Sequence, residues 1–216
     1  TMRHVCSEAL TSSGLDVAMS STAEEGLSLL ETALEANLPF DGLLLDWVLP
    51  NMSGAELMQK IMNDASELLN SCVSQGLVIG TAESCTGGLL SALLTSIPGS
   101  SKAFDRGFVT YTDLAKNQML NISSDLIKNN GAVSKEVAAA LAGGVLTHSN
   151  ANLAVAITGI AGPGGATANK PLGLVYISVM KTNANPITKR SVFGGDRQSV
   201  RMNSVKLALV MLRSMI

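Results

Sequence analysis

Apolar and polar positions along this chain predict alternating strands and helices over most of its length. Short apolar runs bounded by glycine or polar residues predict strands, and apolar residues spaced three or four apart predict helices. From residue 65 onward the predicted strands are residues 77–81, 108–111, 153–157, 174–180 and 188–193. The predicted helices there are residues 65–75, 88–96, 113–120, 123–129, 135–148 and 197–215. This alternation is typical of an α/β fold, and we expect a three-layer α/β/α sandwich.

The first 64 residues follow a separate pattern. They predict helices at residues 3–12, 22–35 and 55–62 and strands at residues 16–20 and 43–47. The run FDGLLLDWVLPNMSGAELMQKI resembles the response-regulator receiver family, whose phospho-accepting aspartate matches Asp46. That family's first strand, acidic pair and later Thr/Ser and Lys have no counterpart here, so we expect a partial receiver-like β-α-β-α fragment. The pattern restarts at Asp64, which predicts a fragment at residues 1–64 and a domain at residues 65–216.

The composition favours a small-molecule partner. Hydrophobic residues make up 46% of the chain and charged residues 15%, which excludes an intrinsically disordered protein. A net charge of -2 and only 3% aromatic residues offer no basic surface and few stacking platforms, so we expect no nucleic-acid partner. The cysteines Cys6, Cys72 and Cys85 lack metal-site or disulfide spacing, so we expect a reducing, cytoplasmic location. No apolar run has the character of a membrane span.

Histidine-based catalysis is not expected. The two histidines, His4 and His148, are far apart in sequence, so a catalytic base must come from another residue type. Ser84 lies in the segment TAESCTGG, between a predicted buried strand and a predicted helix, where ligands bind in open α/β sheets. Ser84 is therefore a candidate nucleophile. Cys85 is a rival, and Thr86 competes with Ser84 for the role of helix cap.

A lysine is the leading candidate for the base. Tyr111 ends a predicted strand and Lys116 follows in the next predicted helix. A lysine acts as a base when burial or neighbouring cations lower its pKa, and a solvated surface lysine remains the alternative. A Ser-Lys-Tyr arrangement is the leading way to activate the serine.

Two glycine-rich segments predict a ligand-binding edge. The segment TGIAGPGG begins at Thr158, directly after a predicted strand, and its glycines permit close approach of a ligand to the backbone. It matches neither the P-loop nor the dinucleotide-binding fingerprint, which argues against nucleoside triphosphate chemistry. The segment GGDR places Arg197 at the start of the last helix, where a guanidinium suits phosphate or carboxylate. The alternative is a surface arginine beside a helix cap at Asp196.

Seven motifs in order resemble one family. ESCTGG, PGSS, GFVTY, GAVS, TGIAGPGG, KPLGLVY and GGDR resemble the C-terminal domain of the competence/damage-inducible protein CinA, the nicotinamide-nucleotide amidase family. The resemblance covers about residues 65–216. It implies a homodimer that hydrolyses the carboxamide of nicotinamide mononucleotide (NMN) to nicotinate mononucleotide and ammonia in NAD recycling, with no metal or cofactor. It also implies Ser84 as nucleophile, Lys116 as base and Tyr111 as supporting tyrosine. The implied substrate-binding residues are Thr86, Gly87, Ser101, Thr158, Gly159, Gly162 and Arg197.

The expected mechanism is acyl transfer. Ser84 attacks the amide while neutral Lys116 takes its proton, and Tyr111 relays the proton or holds the amine. Helix-start N–H groups at residues 86–88 stabilise the oxyanion, and Arg197 with residues 159–165 holds the 5′-phosphate. Two alternatives remain open. One is a non-catalytic nucleotide-binding or regulatory module with a receiver-derived N-terminal segment, and the other is an amidase acting on a different nucleotide or pyridine amide.

Overall fold

The computed structural model describes residues 54–216 and the pairs 11–12, 17–18 and 28–29. The residues Met58–Ile216 belong to one compact unit. The predicted receiver-like fragment, with Asp46, lies outside the described residues apart from those pairs and its last helix. Among the described helices, none combines the length and the apolar character needed to cross a bilayer.

The described chain alternates helices and strands. The helices are α1 (Gly54–Ser74), α2 (Leu89–Thr95), α3 (Asp113–Leu120), α4 (Ser124–Asn130), α5 (Lys135–Thr147) and α6 (Arg197–Arg213). The strands are β1 (Ile79–Glu83), β2 (Phe104–Val109), β3 (Leu153–Gly159), β4 (Leu174–Lys181) and β5 (Ile187–Val192), and a 3₁₀ turn spans Ser100–Lys102. The predicted elements from residue 65 onward are confirmed, with bounds that shift by a few residues.

The five strands form one mixed sheet in the order β2-β1-β3-β4-β5. Strands β2, β1 and β3 are parallel, whereas β4 is antiparallel to β3, and β5 is antiparallel to β4. The carboxyl ends of the three parallel strands therefore meet at one edge of the sheet. Because β4 runs the other way, the loop entering β4 and the loop leaving β5 come to the same edge. Four connections thus converge on this edge, those after β1, β2, β3 and β5, which is where ligands bind in open α/β sheets.

Helices cover both faces of the sheet. Ala82 and Ala156 belong to a buried cluster formed with side chains of α3, α4 and α5 on one face. The neighbouring Thr81 and Glu83 of β1 instead hydrogen-bond Ser91 of α2. Successive side chains of a strand point to opposite faces, so α2 lies on the face away from α5. The predicted α/β architecture with helices on both faces of the sheet is confirmed, and the structure shows that the sheet is mixed.

Two boundaries differ from the sequence prediction. Helices predicted at residues 55–62 and 65–75 form the single helix α1, since no proline or glycine interrupts residues 62–65. Strand β2 begins at Phe104 rather than at residue 108. The polar residues Asp105 and Arg106 hid its start, because an edge strand tolerates charged side chains.

Candidate active site

Ser84 follows β1 directly and is fixed at the carboxyl edge of the sheet. Its backbone N–H donates to the carbonyl of Ile157 in β3 at 2.9 Å, which extends the parallel pairing by one residue. The side chain is 8% exposed and lines a cavity of about 250 Å³. The end of β1, in the parallel part of the sheet, thus presents the Ser84 hydroxyl to this cavity.

Lys116 enters the same cavity from α3. Thr112 caps that helix, its hydroxyl accepting a hydrogen bond from the N–H of Ala115 at 3.0 Å. The Lys116 side chain is 1% exposed, and its Nζ lies 3.6 Å from Oδ1 of Asp113. Burial lowers the pKa of Lys116, while the carboxylate of Asp113 acts in the opposite direction. Among the described residues, Ser84 and Lys116 share the cavity without a direct hydrogen bond.

Cys85 lines this cavity beside Ser84. Burial raises the pKa of its thiol to about 11, although the N–H groups of Cys85 and Thr86 approach the sulfur and act in the opposite direction. At neutral pH the thiol is therefore protonated, and the thiolate is the nucleophilic form. This weakens Cys85 as a rival to Ser84.

Arg197 joins two loops at the rim of the cavity. Asp196 caps α6 by accepting the N–H of Ser199 at 2.8 Å, which places Arg197 at the helix start. The Arg197 Nη1 donates to the carbonyl of Gly162 at 2.7 Å, and its Nη2 donates to the hydroxyl of Tyr111 at 3.0 Å. One guanidinium thus ties the glycine-rich loop after β3 to the loop after β2.

Residues 132–133, which follow α4, form another wall of the cavity. The Thr158 hydroxyl donates to the carbonyl of Ala132 at 2.8 Å. The Nζ of Lys170 donates to the carbonyls of Asn130 and Val133, each at 2.8 Å. Thr158 at the end of β3 and Lys170 in the connection from β3 to β4 therefore both hold this wall in place.

A serine, a buried lysine and a rim arginine thus surround one cavity at the carboxyl edge of the sheet. A family model described as the CinA C-terminal domain matches residues 62–216. The chain belongs to the CinA C-terminal domain family. The resemblance found in the seven motifs is confirmed.

Relatives of this CinA domain differ in length. "Nicotinamide-nucleotide amidohydrolase PncC" of Escherichia coli (strain K12) is 40% identical over 158 residues, which are 73% of this chain and 93% of that protein. A "Putative competence-damage inducible protein" of Caldicellulosiruptor saccharolyticus is 48% identical over 145 residues, 67% of this chain but 35% of that protein. The chain thus spans about a third of that longer relative.

A solved structure shares the fold. The "competence/damage inducible protein CihA" from Agrobacterium tumefaciens is 44% identical, with a TM-score of 0.70. The match covers 72% of this chain and 94% of that one.

The cavity of this CinA domain gathers most of the residues singled out in the sequence. Those that line it are Ser84, Tyr111, Lys116, Thr158, Gly159, Gly162 and Arg197. Parallel strand ends explain this clustering, because three of the segments follow β1, β2 and β3. Tyr111, expected to relay the proton or hold the lysine amine, lines the cavity together with Lys116. It is 56% exposed, and its hydroxyl accepts a hydrogen bond from Arg197.

Three expected binding residues do not line the cavity of the CinA domain. Ser101 lies in the 3₁₀ turn before β2, at the amino end of the parallel strands and so at the opposite edge of the sheet. Thr86 is buried, and its carbonyl accepts a hydrogen bond from Nη2 of Arg201 at 2.8 Å. Gly87 is exposed, and its N–H donates to the carbonyl of Ser84 at 3.1 Å.

Two of the helix-start N–H groups expected to stabilise an oxyanion donate to oxygens of the chain itself. The N–H of Gly88 donates to the Glu83 carboxylate at 3.1 Å, and that of Gly87 is taken by Ser84. In the loop of residues 84–88, the N–H groups of Cys85 and Thr86 remain, and both approach the Cys85 sulfur.

Sequence reasoning missed four residues that shape this site. They are Glu83, Asp113, Lys170 and Arg201. Asp113 had a detectable signal, because a carboxylate three residues before a lysine on a helix faces that lysine. Glu83 also had one, since a carboxylate ending a buried strand needs donors nearby. For Lys170 and Arg201, the contacts span 37 and 115 residues, and local spacing gives no signal for them.

Proposed function

We propose that this chain hydrolyses the carboxamide of NMN to nicotinate mononucleotide and ammonia, with Ser84 as nucleophile and Lys116 as general base. The single observation that carries the proposal is the burial of the Lys116 amine in the cavity that Ser84 lines. Burial lowers the pKa of this amine, which favours the neutral form that a base requires. The relative from Escherichia coli whose name specifies a nicotinamide-nucleotide amidohydrolase supports the choice of substrate.

The reaction proceeds in two halves. Ser84 Oγ attacks the carboxamide carbon while its proton passes to Lys116 Nζ. The tetrahedral intermediate then expels ammonia, which takes that proton from Lys116, and an ester on Ser84 remains. Water attacks the ester and gives a proton to Lys116, and collapse returns this proton to Ser84 and releases nicotinate mononucleotide. The lysine thus acts first as base and then as acid in each half.

Backbone N–H groups and the Arg197 guanidinium bind the two negatively charged groups, the oxyanion of the intermediate and the 5′-phosphate. The N–H groups of Cys85 and Thr86 are the donors nearest the nucleophile that are not bound to another oxygen, and they stabilise the oxyanion. Removing one such donor typically lowers kcat by about 10²–10³-fold. Arg197 binds the 5′-phosphate at the rim, with the glycine-rich loop of residues 159–165 beside it. Tyr111 orients Arg197 in this scheme and does not relay the proton.

The experiment is an ammonia-release assay of the full chain with NMN, with separation of nicotinate mononucleotide by chromatography. Ser84→Ala is the test variant, and Cys85→Ala is its neighbour control. The proposal expects equal amounts of both products from the wild type, no turnover by Ser84→Ala and retained turnover by Cys85→Ala. Turnover lost in Cys85→Ala but retained in Ser84→Ala would assign the nucleophile to the thiol instead. An inactive but folded wild type would reject NMN as the substrate.

We further propose that the amidase domain comprises residues 65–216, that residues 1–64 form a separate receiver-like fragment, and that the enzyme works in the cytoplasm as a homodimer. The start of the family match at residue 62 supports the boundary. Limited proteolysis with mass spectrometry tests it, since the smallest stable fragment is expected to retain residues 65–216 and to begin at or before α1. Light scattering on a size-exclusion column tests the dimer.

A further inference from the structure

Glu83 is a buried acid to which the proposed chemistry gives no role. Its side chain is 1% exposed, and it directly precedes the nucleophile Ser84. In the described part of the chain, no lysine or arginine forms an ion pair with it. Burying a carboxylate without a cation is costly unless hydrogen bonds replace its water.

Hydrogen bonds from α2 replace that water. Glu83 Oε2 accepts from the N–H of Gly88 at 3.1 Å and from that of Leu90 at 3.0 Å. Oε1 accepts from the N–H of Ser91 at 2.8 Å and from its hydroxyl at 2.7 Å. Four donors thus point at one carboxylate, and both of its oxygens act as acceptors. The start of α2 is therefore occupied by a side chain from the end of β1.

These contacts close the nucleophile loop, residues 84–87, into a ring. Glu83 stands at one end of the loop in β1, and its side chain binds the helix at the other end. Within the ring, the N–H of Gly87 donates to the carbonyl of Ser84, and the N–H of Ser84 is held by Ile157. Because the loop is short and fixed at both ends, the position of Ser84 Oγ depends on where Glu83 holds α2.

A glycine in β2 leaves space for the contact between Ser91 and Glu83. The Ser91 hydroxyl also lies 2.7 Å from the hydroxyl of Thr81 in β1. Opposite them in β2 stands Gly107, and a Cβ at that position would lie 2.8 Å from Thr81 Oγ1 and would overlap Ser91 Oγ. The glycine thus leaves the space that lets Ser91 reach Glu83.

We propose that Glu83 is a positioning residue that sets the geometry of Ser84 and of the Cys85 and Thr86 N–H groups by holding the first turn of α2. This inference rests on the proposed function for its kinetic consequence. Glu83 accepts from N–H groups of the helix start, so within residues 84–91 the N–H groups of Cys85 and Thr86 are the ones not bound to an oxygen. Its loss displaces the nucleophile without touching the phosphate anchor at Arg197.

The test compares Glu83→Gln with two other variants in the full chain. In either orientation of its amide, Gln places its NH₂ group against at least one backbone N–H, so one part of the loop must move. Ser91→Ala removes one of the four donors to Glu83, so its effect on the loop should be smaller than that of Glu83→Gln. Ser123→Ala is the control. It removes the N-cap of α4, where the Ser123 hydroxyl accepts from the N–H of Leu126, and so it weakens a helix start away from the nucleophile loop.

Three readouts separate positioning from simple destabilisation. Hydrogen exchange of residues 84–91, measured without substrate, should accelerate in Glu83→Gln and remain unchanged in Ser123→Ala. With NMN, kcat should fall about 10²-fold in Glu83→Gln, the order expected for a displacement of about 1 Å, while KM stays within about threefold. Ser91→Ala should lower kcat severalfold, and Ser123→Ala should retain kcat despite a comparable loss of Tm.

The outcomes that overturn the inference are distinct from a failure of the proposed function. Unchanged exchange of residues 84–91, or a kcat of Glu83→Gln within about twofold of the wild type, contradicts the role of Glu83. Equal losses of kcat in Glu83→Gln and Ser123→Ala do so as well. If Glu83→Gln does not fold, hydrogen exchange and kcat of Ser91→Ala are compared with those of Ser123→Ala instead. A wild type that releases no ammonia from NMN rejects the proposed function, and hydrogen exchange then still decides whether Glu83 holds the loop.

Discussion

The hydroxyl of Tyr111 accepts a hydrogen bond from Nη2 of Arg197 at 3.0 Å, across the rim of the cavity. The same guanidinium donates to the carbonyl of Gly162, so its plane is fixed from two sides. In the proposed mechanism, Tyr111 therefore orients the phosphate-binding Arg197 and does not take part in proton transfer between Ser84 and Lys116.

We predict that Tyr111→Phe raises KM for NMN and leaves kcat within about twofold. A hydrogen bond contributes about 1 kcal/mol, which corresponds to a roughly fivefold change in KM. Nicotinamide riboside lacks the phosphate, so its kcat/KM should be unaffected by the substitution. A large fall in kcat with both substrates would instead restore Tyr111 to the proton relay.

The carboxylate of Asp113 is predicted to set the pH at which the enzyme becomes active. The base must be neutral, so kcat/KM rises as pH increases through the pKa of Lys116. Burial lowers this pKa and Asp113 raises it, while the nearby Cys85 thiol is neutral at working pH. Asp113→Asn should therefore move the acidic limb of the pH profile to lower pH. An unchanged limb, or a shift to higher pH, would show that Asp113 does not control the base.

Two glycines of the same loop should respond differently to alanine. A Cβ at Gly159 would lie 2.7 Å from Val175 Cγ2 and 3.1 Å from Cys85 Sγ, whereas a Cβ at Gly164 meets nothing within 4 Å. We predict that Gly159→Ala lowers the free energy of unfolding by about 1–3 kcal/mol, as overpacking does, and reduces turnover. Gly164→Ala should change it by less than about 0.5 kcal/mol. Urea denaturation of both variants measures this difference, and equal stabilities would contradict the packing described around β3.

The ammonium of Lys170 is predicted to stabilise the wall at residues 132–133. Lys170→Met keeps most of the side-chain length but removes both hydrogen bonds to carbonyls. Hydrogen bonds from charged donors contribute about 1.5–3 kcal/mol, so Tm should fall and KM for NMN should rise. Lys102→Met, in the exposed 3₁₀ turn, is the control and should leave both unchanged. A Lys170→Met variant with the Tm and KM of the wild type would show that the wall does not depend on this ammonium.

The sequence predicted the fold and the site where local patterns carry the information. Apolar runs predict β1, β3 and β4 because these strands are buried, and parallel strand ends bring Ser84 and Lys116 to one edge. The start of β2 was missed, since Asp105 and Arg106 stand on an exposed edge strand.

Hydrogen bonds between side chains and distant backbone groups could not be predicted from the sequence. The glycines after Ser84 predict a helix start whose first N–H groups have no backbone partner. That prediction does not show whether a side chain accepts hydrogen bonds from them. Glu83 does so, and its reach to α2 depends on the three-dimensional distance from strand to helix. The position of Ser101 also depends on the fold, because its motif follows that of Ser84 in sequence but lies at the other end of the sheet.

Turnover of NMN by Lys116→Met tests the central claim most directly. Lys206→Met is the matched control, because burial also lowers the pKa of Lys206 and that residue does not line the cavity. Ammonia release by Lys116→Met should fall about 10²–10⁴-fold, the contribution of a general base, with the fold retained by circular dichroism. Lys206→Met should keep the rate of the wild type. A Lys116→Met variant that still releases ammonia from NMN at close to the wild-type rate would contradict the Ser84–Lys116 mechanism.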